Sequence, residues 1–469
     1  MKIGISGISD EKLRVPLMHI ANLFFENSSI KLDGMEQCDF TVHLNGEGNY
    51  ATPRERKYAL LREFLQFLQR KTEKTQKWGV LTGIRPTKLW HQMLRESMNR
   101  DLARYLLKTD YLISNEKLNL LEKIVDKQLL VVPDLYDLRH EVSIYIGIPF
   151  CPTKCAYCTF PAYAIQGKQT LVTEFLEKLH EEIRATGEWL RKNEISVTTI
   201  YFGGGTPTSI TAAQMDSLYE ELYESIPYMN KVREITVEAG RPDTLSADKL
   251  EVLKKWNIER ISINPQSFHE DTLKAIGRHH TTAQTIEKFH LAQEYGFGNI
   301  NMDLIIGLPG EGVPEFEKTL NQLDSLQPES ITVHTLAFKR ASEMTQNKEK
   351  YKVADRDEVE KMMQKSMDWM VEHDYEPYYL YRQQNILGNL ENIGYSKRGQ
   401  ESIYNILIME EVQTIIGLGC GASSKYVHPG TGVITRYANP KDPKTYIDNG
   451  KKIIDEKLEQ LEKLFANSK

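Results

Sequence analysis

Ile146-Gly-Ile-Pro-Phe150-Cys151-Pro-Thr-Lys-Cys155-Ala-Tyr-Cys158-Thr-Phe160 joins a hydrophobic run to three cysteines at CxxxCxxC spacing. Three thiolates on one loop can hold three irons of a cubane iron–sulfur cluster and leave the fourth without a protein ligand. An iron left open is a reaction site. Structural zinc needs a fourth ligand, and neither a paired CxxC nor a finger-spaced histidine lies nearby, so zinc is the weaker reading. Only Cys38 and Cys420 occur elsewhere in the chain, which also argues against three incidental thiols.

Outward from this loop, β-branched runs alternate with stretches of helical period from about Ser143 onward, the pattern of parallel βα units. Strands are expected at 143–148, 198–202, 234–238, 260–263, 300–306 and 330–336. Helices are expected at 170–192, 211–225, 247–256, 283–295 and 315–326. These units are too few for an eight-stranded barrel. Residues 1–140 differ in texture, with strand-like pieces at 2–5 and 40–43 and charged helical segments at 55–69 and 116–127. They read as a small α+β N-terminal domain. Residues 141–373 form the βα region, closed by a helix at 355–373. A C-terminal domain with an amphipathic terminal helix at 453–465 follows over 374–469.

CxxxCxxC after a hydrophobic strand resembles the radical S-adenosylmethionine (SAM) superfamily. The preceding Tyr145-Ile-Gly-Ile-Pro-Phe150 is similar to the oxygen-independent coproporphyrinogen III oxidase family, and with the N-terminal region the chain is most similar to its HemZ-type coproporphyrinogen dehydrogenase group. The resemblance implies an α/β fold, a partial (β/α)6 barrel, with active-site residues past the C-terminal strand ends. It implies a [4Fe–4S] cluster on Cys151, Cys155 and Cys158, and SAM chelated to the open iron and cleaved reductively to a 5′-deoxyadenosyl radical.

Further residues match the family's SAM site. Tyr201-Phe-Gly-Gly-Gly-Thr-Pro-Thr208 ends the second strand, and glycines there let backbone approach a ligand. The resemblance gives Gly204, Gly205 and Thr206 to the SAM amino group, with Glu238, at the third strand end, also on SAM. An exposed strand-end charge is the plainer alternative for Glu238. Gln266 suits a ribose hydroxyl and Arg278 the methionine carboxylate. Asp303, on an otherwise apolar strand, would be costly unpaired, and a ribose diol is a natural partner. The resemblance adds backbone contacts from Ala337 to adenine, Tyr157 near that base, and Tyr145 on SAM; core packing serves equally for both tyrosines. His279, His280 and His334 are weaker candidates, and Cys420 suits a tight glycine loop as a small buried side chain.

The chain has 469 residues, 59 basic against 65 acidic, and a net charge of −6. Nothing in that balance suggests a nucleic-acid partner. No run of about 18 apolar residues suggests a membrane span. The first residues turn polar too soon for a secretory leader, and few cysteines fit a reducing cytoplasm.

The resemblance breaks at Phe160, where the best-characterised oxidases of the family carry a fourth cysteine. Phenylalanine there is also the pattern of a haem chaperone and of a haem-cleaving SAM methyltransferase of the same fold. Three outcomes therefore stay open: oxidative decarboxylation of coproporphyrinogen III propionates to vinyls by an oxidoreductase of porphyrin and haem biosynthesis, haem binding without turnover, and haem ring opening with methyl transfer. A tetrapyrrole and an electron donor such as flavodoxin or ferredoxin are the implied partners. Substrate carboxylates need cations, for which Arg241, Lys339, Arg340 and Arg382 are candidates.

Overall fold

A computed structural model describes residues 1–25, 28–33, 37–83, 85–96, 99–338, 342–383 and 386–466. The chain divides into two compact units, Met1–Asp126 and Lys127–Lys469.

The first unit contains a parallel three-stranded sheet of β1 (Lys2–Ser6), β2 (Ser29–Leu32) and β3 (Phe40–His43), with β1 in the centre. Its longest helix, Pro53–Thr72, starts where Thr52 accepts from the Glu55 amide and proline occupies the first turn. That helix buries Leu60, Leu61, Phe64, Leu65 and Leu68, the stripe its helical period dictates.

The second unit is organised by β4 (Val142–Ile148), β7 (Val197–Gly204), β8 (Glu234–Glu238), β9 (Arg260–Ser262), β10 (Asn299–Ile306) and β11 (Ser330–Thr335), with β5 (Phe150–Cys151) and β6 (Tyr163–Ala164) forming a separate pair. The six strands lie side by side in that order, each parallel to the next. They fall within two residues of the expected positions. Val142, Ser143, Ile144, Ile146, Gly147 and Ile148 are all buried, as expected for a parallel strand covered on both faces. Helices return the chain between strands, and those at Ala212–Ser225 and Thr282–Glu294 begin with capping boxes at Thr211/Gln214 and Thr281/Gln284. Because all six strands run the same way, their C-terminal ends share one rim.

The segment after 373 does not stand apart as a third compact unit. Its strands β12 (Glu376–Tyr381), β13 (Asn392–Ser396), β14 (Thr414–Gly419), β15 (Ser423–Val427) and β16 (Ile434–Ala438) extend both edges of the same sheet. On one side β13 pairs antiparallel with β11, and on the other β14 pairs parallel with β4. The open edges of six parallel strands carry unpaired backbone groups, and these added strands satisfy them. Of the region 417–422, expected as a glycine loop, residues 417–419 end β14, and the turn that follows carries Cys420 as a small buried side chain between Gly419 and Gly421, both at positive φ. The terminal helix, Gly450–Ala466, is fastened from within: Lys457 reaches both the Gly417 carbonyl and the Glu182 carboxylate. Glu182 also accepts from the Gly419 amide at 2.7 Å, Tyr446 Oη at 2.6 Å and Asn439 Nδ2 at 3.0 Å. Such saturation is what a buried charge requires.

Candidate functional site

The cysteine loop leaves β4 at Pro149, which has no N–H to continue a ladder. β5 then pairs in parallel with β6, so the loop closes on itself. Its backbone is also tied to a neighbouring turn: the Ala156 amide donates to the Ile276 carbonyl at 3.0 Å, and Thr153 Oγ1 to the Gly277 carbonyl at 2.8 Å. Cys151 is buried, while Cys155 and Cys158 are half-buried. Burial pushes the Cys151 thiol up to about 11, with Cys155 and Cys158 adding to the rise, so the sulfurs lie close enough to sense one another. Among the described residues, no three His, Cys, Asp or Glu side chains gather as tightly as a single metal ion needs. A cubane takes each sulfur on a different iron, and this donor set fits it.

The end of β7 packs under this loop. The Gly205 amide donates to the Ile148 carbonyl at 2.7 Å and the Thr206 amide to the Phe150 carbonyl at 2.8 Å. A Cβ on Gly205 would sit 2.6 Å from the Phe150 oxygen, and Gly204 holds φ at +104°. Close approach of two backbones thus demands both glycines. Thr206 Oγ1 lies 3.3 Å from Cys151 Sγ.

Along the rim the expected residues fall into two groups. Tyr157, Arg278 and Cys155 interact, and Tyr157 packs among Ala156, Ile276 and Leu336, the last adjoining Ala337. Ala337 bridges to Ile386. Burial opposes the Arg278 charge, but Tyr157 and Cys155 hold it above the ordinary arginine range. Arg278 Nη1 donates to the carbonyls of Asn264 at 2.6 Å and Gly240 at 3.3 Å. Its Nε, and Oε1 of Gln266, are buried without a partner among the described residues. Unmet groups of this kind are costly unless a ligand meets them.

The second group is Glu238, Asp303 and Tyr145. Glu238 is not an exposed strand-end charge: burial, reinforced by Asp303, raises its carboxyl to about 7, against the hydrogen bond from Tyr201 Oη at 2.5 Å. Asp303 accepts from Asn264 Nδ2 at 2.9 Å and Asn301 Nδ2 at 2.8 Å, and His334 Nε2 stands 3.5 Å away. Burial works against its charge, yet His334, Asn301 and Thr332 hold it below the usual carboxylate range. Tyr145 stacks on Tyr201 at 6.1 Å, and Tyr201 on Tyr404 at 4.4 Å. Gln266 holds φ at 65°, with its backbone amide on the Asp303 carbonyl at 2.9 Å.

Sequence reasoning overlooked Tyr201, Asn264, Asn301 and Tyr404. Tyr201 and Asn264 flank quoted motifs and could have been found there; Tyr404 could not, since it comes from a distant helix, Ile403–Glu410. His279 is exposed. His280 is buried, and burial with Arg278 and Arg241 pushes it down to about 3. Arg241 and Arg382 are both buried; Arg382 Nη2 bonds Asn389 Oδ1 at 2.5 Å. Lys339 and Arg340 lie outside the described residues. Phe160 is 56% exposed.

Glu238 yields a pH test. Its carboxyl sits near 7 against an ordinary 4.5, so the cost of ionising it is absent below about pH 4.5 and complete above about pH 7. Glu238→Gln should therefore raise the Tm of cofactor-free protein clearly near pH 8 and little near pH 5. Equal shifts at both, in thermal melts, would refute the assignment.

Residues 145–323 match the model of the Radical SAM superfamily. This chain is 57% identical over its whole length, and over 99% of the relative, to the "Oxygen-independent coproporphyrinogen-III oxidase-like protein HemZ" of Bacillus subtilis. It is 33% identical to the "Heme chaperone HemW" of the same organism, over 65% of this chain and 75% of that one. The structure of coproporphyrinogen III oxidase (HemN) from Escherichia coli superposes with a TM-score of 0.55 at 20% identity, covering 69% of this chain and 72% of that one, and supports the partial-barrel fold. The protein is thus of the radical SAM class, whose cofactors are a [4Fe–4S] cluster and SAM. Within that class it belongs to the oxygen-independent coproporphyrinogen III oxidase family and is similar over its whole length to the HemZ type.

Proposed function

We propose that this protein catalyses oxygen-independent oxidative decarboxylation of coproporphyrinogen III propionates to vinyls, as a porphyrin-biosynthetic oxidoreductase of a reducing cytoplasm fed by a flavodoxin- or ferredoxin-like donor. The observation that carries the reading is the 57% identity along the whole chain, N-terminal region included, to a relative named as like that oxidase. When bound, the cluster and SAM supply a 5′-deoxyadenosyl radical, strong enough to take a hydrogen atom from an unactivated carbon. Each propionate then loses one hydrogen atom from its β-carbon, one CO2 and one electron, leaving a vinyl group. An external one-electron acceptor takes the electron.

The residues of this chain bind and orient. Cys151, Cys155 and Cys158 hold the cluster. Gly204, Gly205, Thr206 and Glu238 receive the SAM amino group, and the unpartnered Nε of Arg278 meets its carboxylate. Asp303 and Gln266 hold the ribose, Tyr157 and the Ala337 backbone the adenine, and Tyr145 lines the site. Positioning of this kind converts an encounter into a unimolecular step. Arg241 is not counted among the substrate cations, since its guanidinium is spent on Asp243 and the cysteine loop.

A second reading, haem chaperone, is favoured by Phe160 and by the 33% identity to a protein of that name. Anaerobic incubation of reconstituted protein with SAM, reductant and either coproporphyrinogen III or haem, followed by mass spectrometry, separates the two. The expected result is 5′-deoxyadenosine formation stimulated by coproporphyrinogen III, with a one-vinyl intermediate before the two-vinyl product. Haem bound unaltered, with no stimulation by coproporphyrinogen, would establish the chaperone instead; a methylated linear tetrapyrrole would indicate ring opening.

A further inference from the structure

Arg241 follows β8 by three residues and is 2% exposed. Its Nη1 donates to the Thr153 carbonyl at 3.2 Å and to Thr153 Oγ1 at 3.1 Å, and lies 4.0 Å from Cys155 Sγ. Its Nε and Nη2 each stand 3.1 Å from a different oxygen of Asp243. One edge of the guanidinium is thus neutralised by a carboxylate, and the other is spent on the cysteine loop. Thr153 passes the restraint on, through its bond to the Gly277 carbonyl.

A buried ion pair is weak evidence for stability, because desolvation offsets its attraction. Loop restraint alone could be had from a neutral donor. What only a cation supplies here is positive charge, with an N–H, beside a ligand sulfur. Hydrogen bonds to the sulfurs and nearby charge are what set the potential of such clusters, and an added electron is stabilised by both. We propose that Arg241 is a positioning residue that raises the reduction potential of the cluster through Cys155, and that Asp243 moderates it. This rests on reading Cys155 as a cluster ligand.

The test is a redox titration of the reconstituted full-length protein without SAM, followed by electron paramagnetic resonance, with iron and sulfide assayed in parallel. Arg241→Met removes charge and donor, and should lower the reduced-to-oxidised ratio at fixed applied potential about tenfold, or about 59 mV for one electron. Asp243→Asn leaves the guanidinium un-neutralised and should move the ratio the other way. A purely structural role predicts no such opposition of sign. Intact clusters with unchanged ratios, or both variants moving together, would overturn the proposal. Should Arg241→Met take up no cluster, the sign of the Asp243→Asn shift decides alone. Failure of the underlying reading looks different: Cys155→Ala would then retain the cluster signal.

Discussion

Cys155→Ala is expected to abolish the cluster, and with it all reductive SAM cleavage, while Cys38→Ala and Cys420→Ala leave iron content at the wild-type level. Cys155 and Cys158 are half-buried at the sheet rim, and Cys151 senses both. Cys420 is buried in the turn after β14, where burial and Asp442 raise its thiol and none of the three loop cysteines does. Cys38 belongs to the other compact unit. Two thiolates cannot hold three irons, so the loss should be complete and not graded. Anaerobic iron and sulfide analysis with the visible absorption spectrum measures it. Equal loss in Cys420→Ala and Cys155→Ala would refute the ligand assignment.

The six parallel strands were legible because each is a short stretch with apolar, mostly β-branched residues between segments of helical period, and buried parallel strands leave that trace. What was not legible was long-range pairing. Thr414–Gly419 includes Gly417 and Gly419, which read as part of a glycine loop, and only its partner β4, far away in sequence, carries the strand through them. The cysteines and most rim residues stood out because motif spacing carries them. Arg241 stood as one of four candidate substrate cations because a lone arginine after a strand gives no sign of its partners; Asp243 and Thr153 take it only after folding. Tyr404 escaped for the same reason, since its stack on Tyr201 joins the C-terminal segment to the barrel.

Arg278→Ala should weaken SAM binding by about 2–5 kcal/mol, roughly 30-fold to a few-thousand-fold in Kd, while the cluster survives. One guanidinium nitrogen, Nη1, is already committed to the carbonyls of Asn264 and Gly240. Its Nε remains buried without a partner among the described residues, and a SAM carboxylate would end that cost. Arg278→Ala also releases two carbonyls, so Asp303→Asn serves as the companion variant: near-isosteric, it removes only the charge that would face the ribose. Asp303 draws on Asn264 as well, through Nδ2 at 2.9 Å, so the two residues share one scaffold. The losses should therefore be non-additive in the double variant. Equilibrium binding of SAM to cluster-loaded protein, read calorimetrically, measures each loss. Unchanged affinity in both single variants would sink the SAM site, whereas loss of cluster along with affinity would reassign Arg278 to holding the cysteine loop.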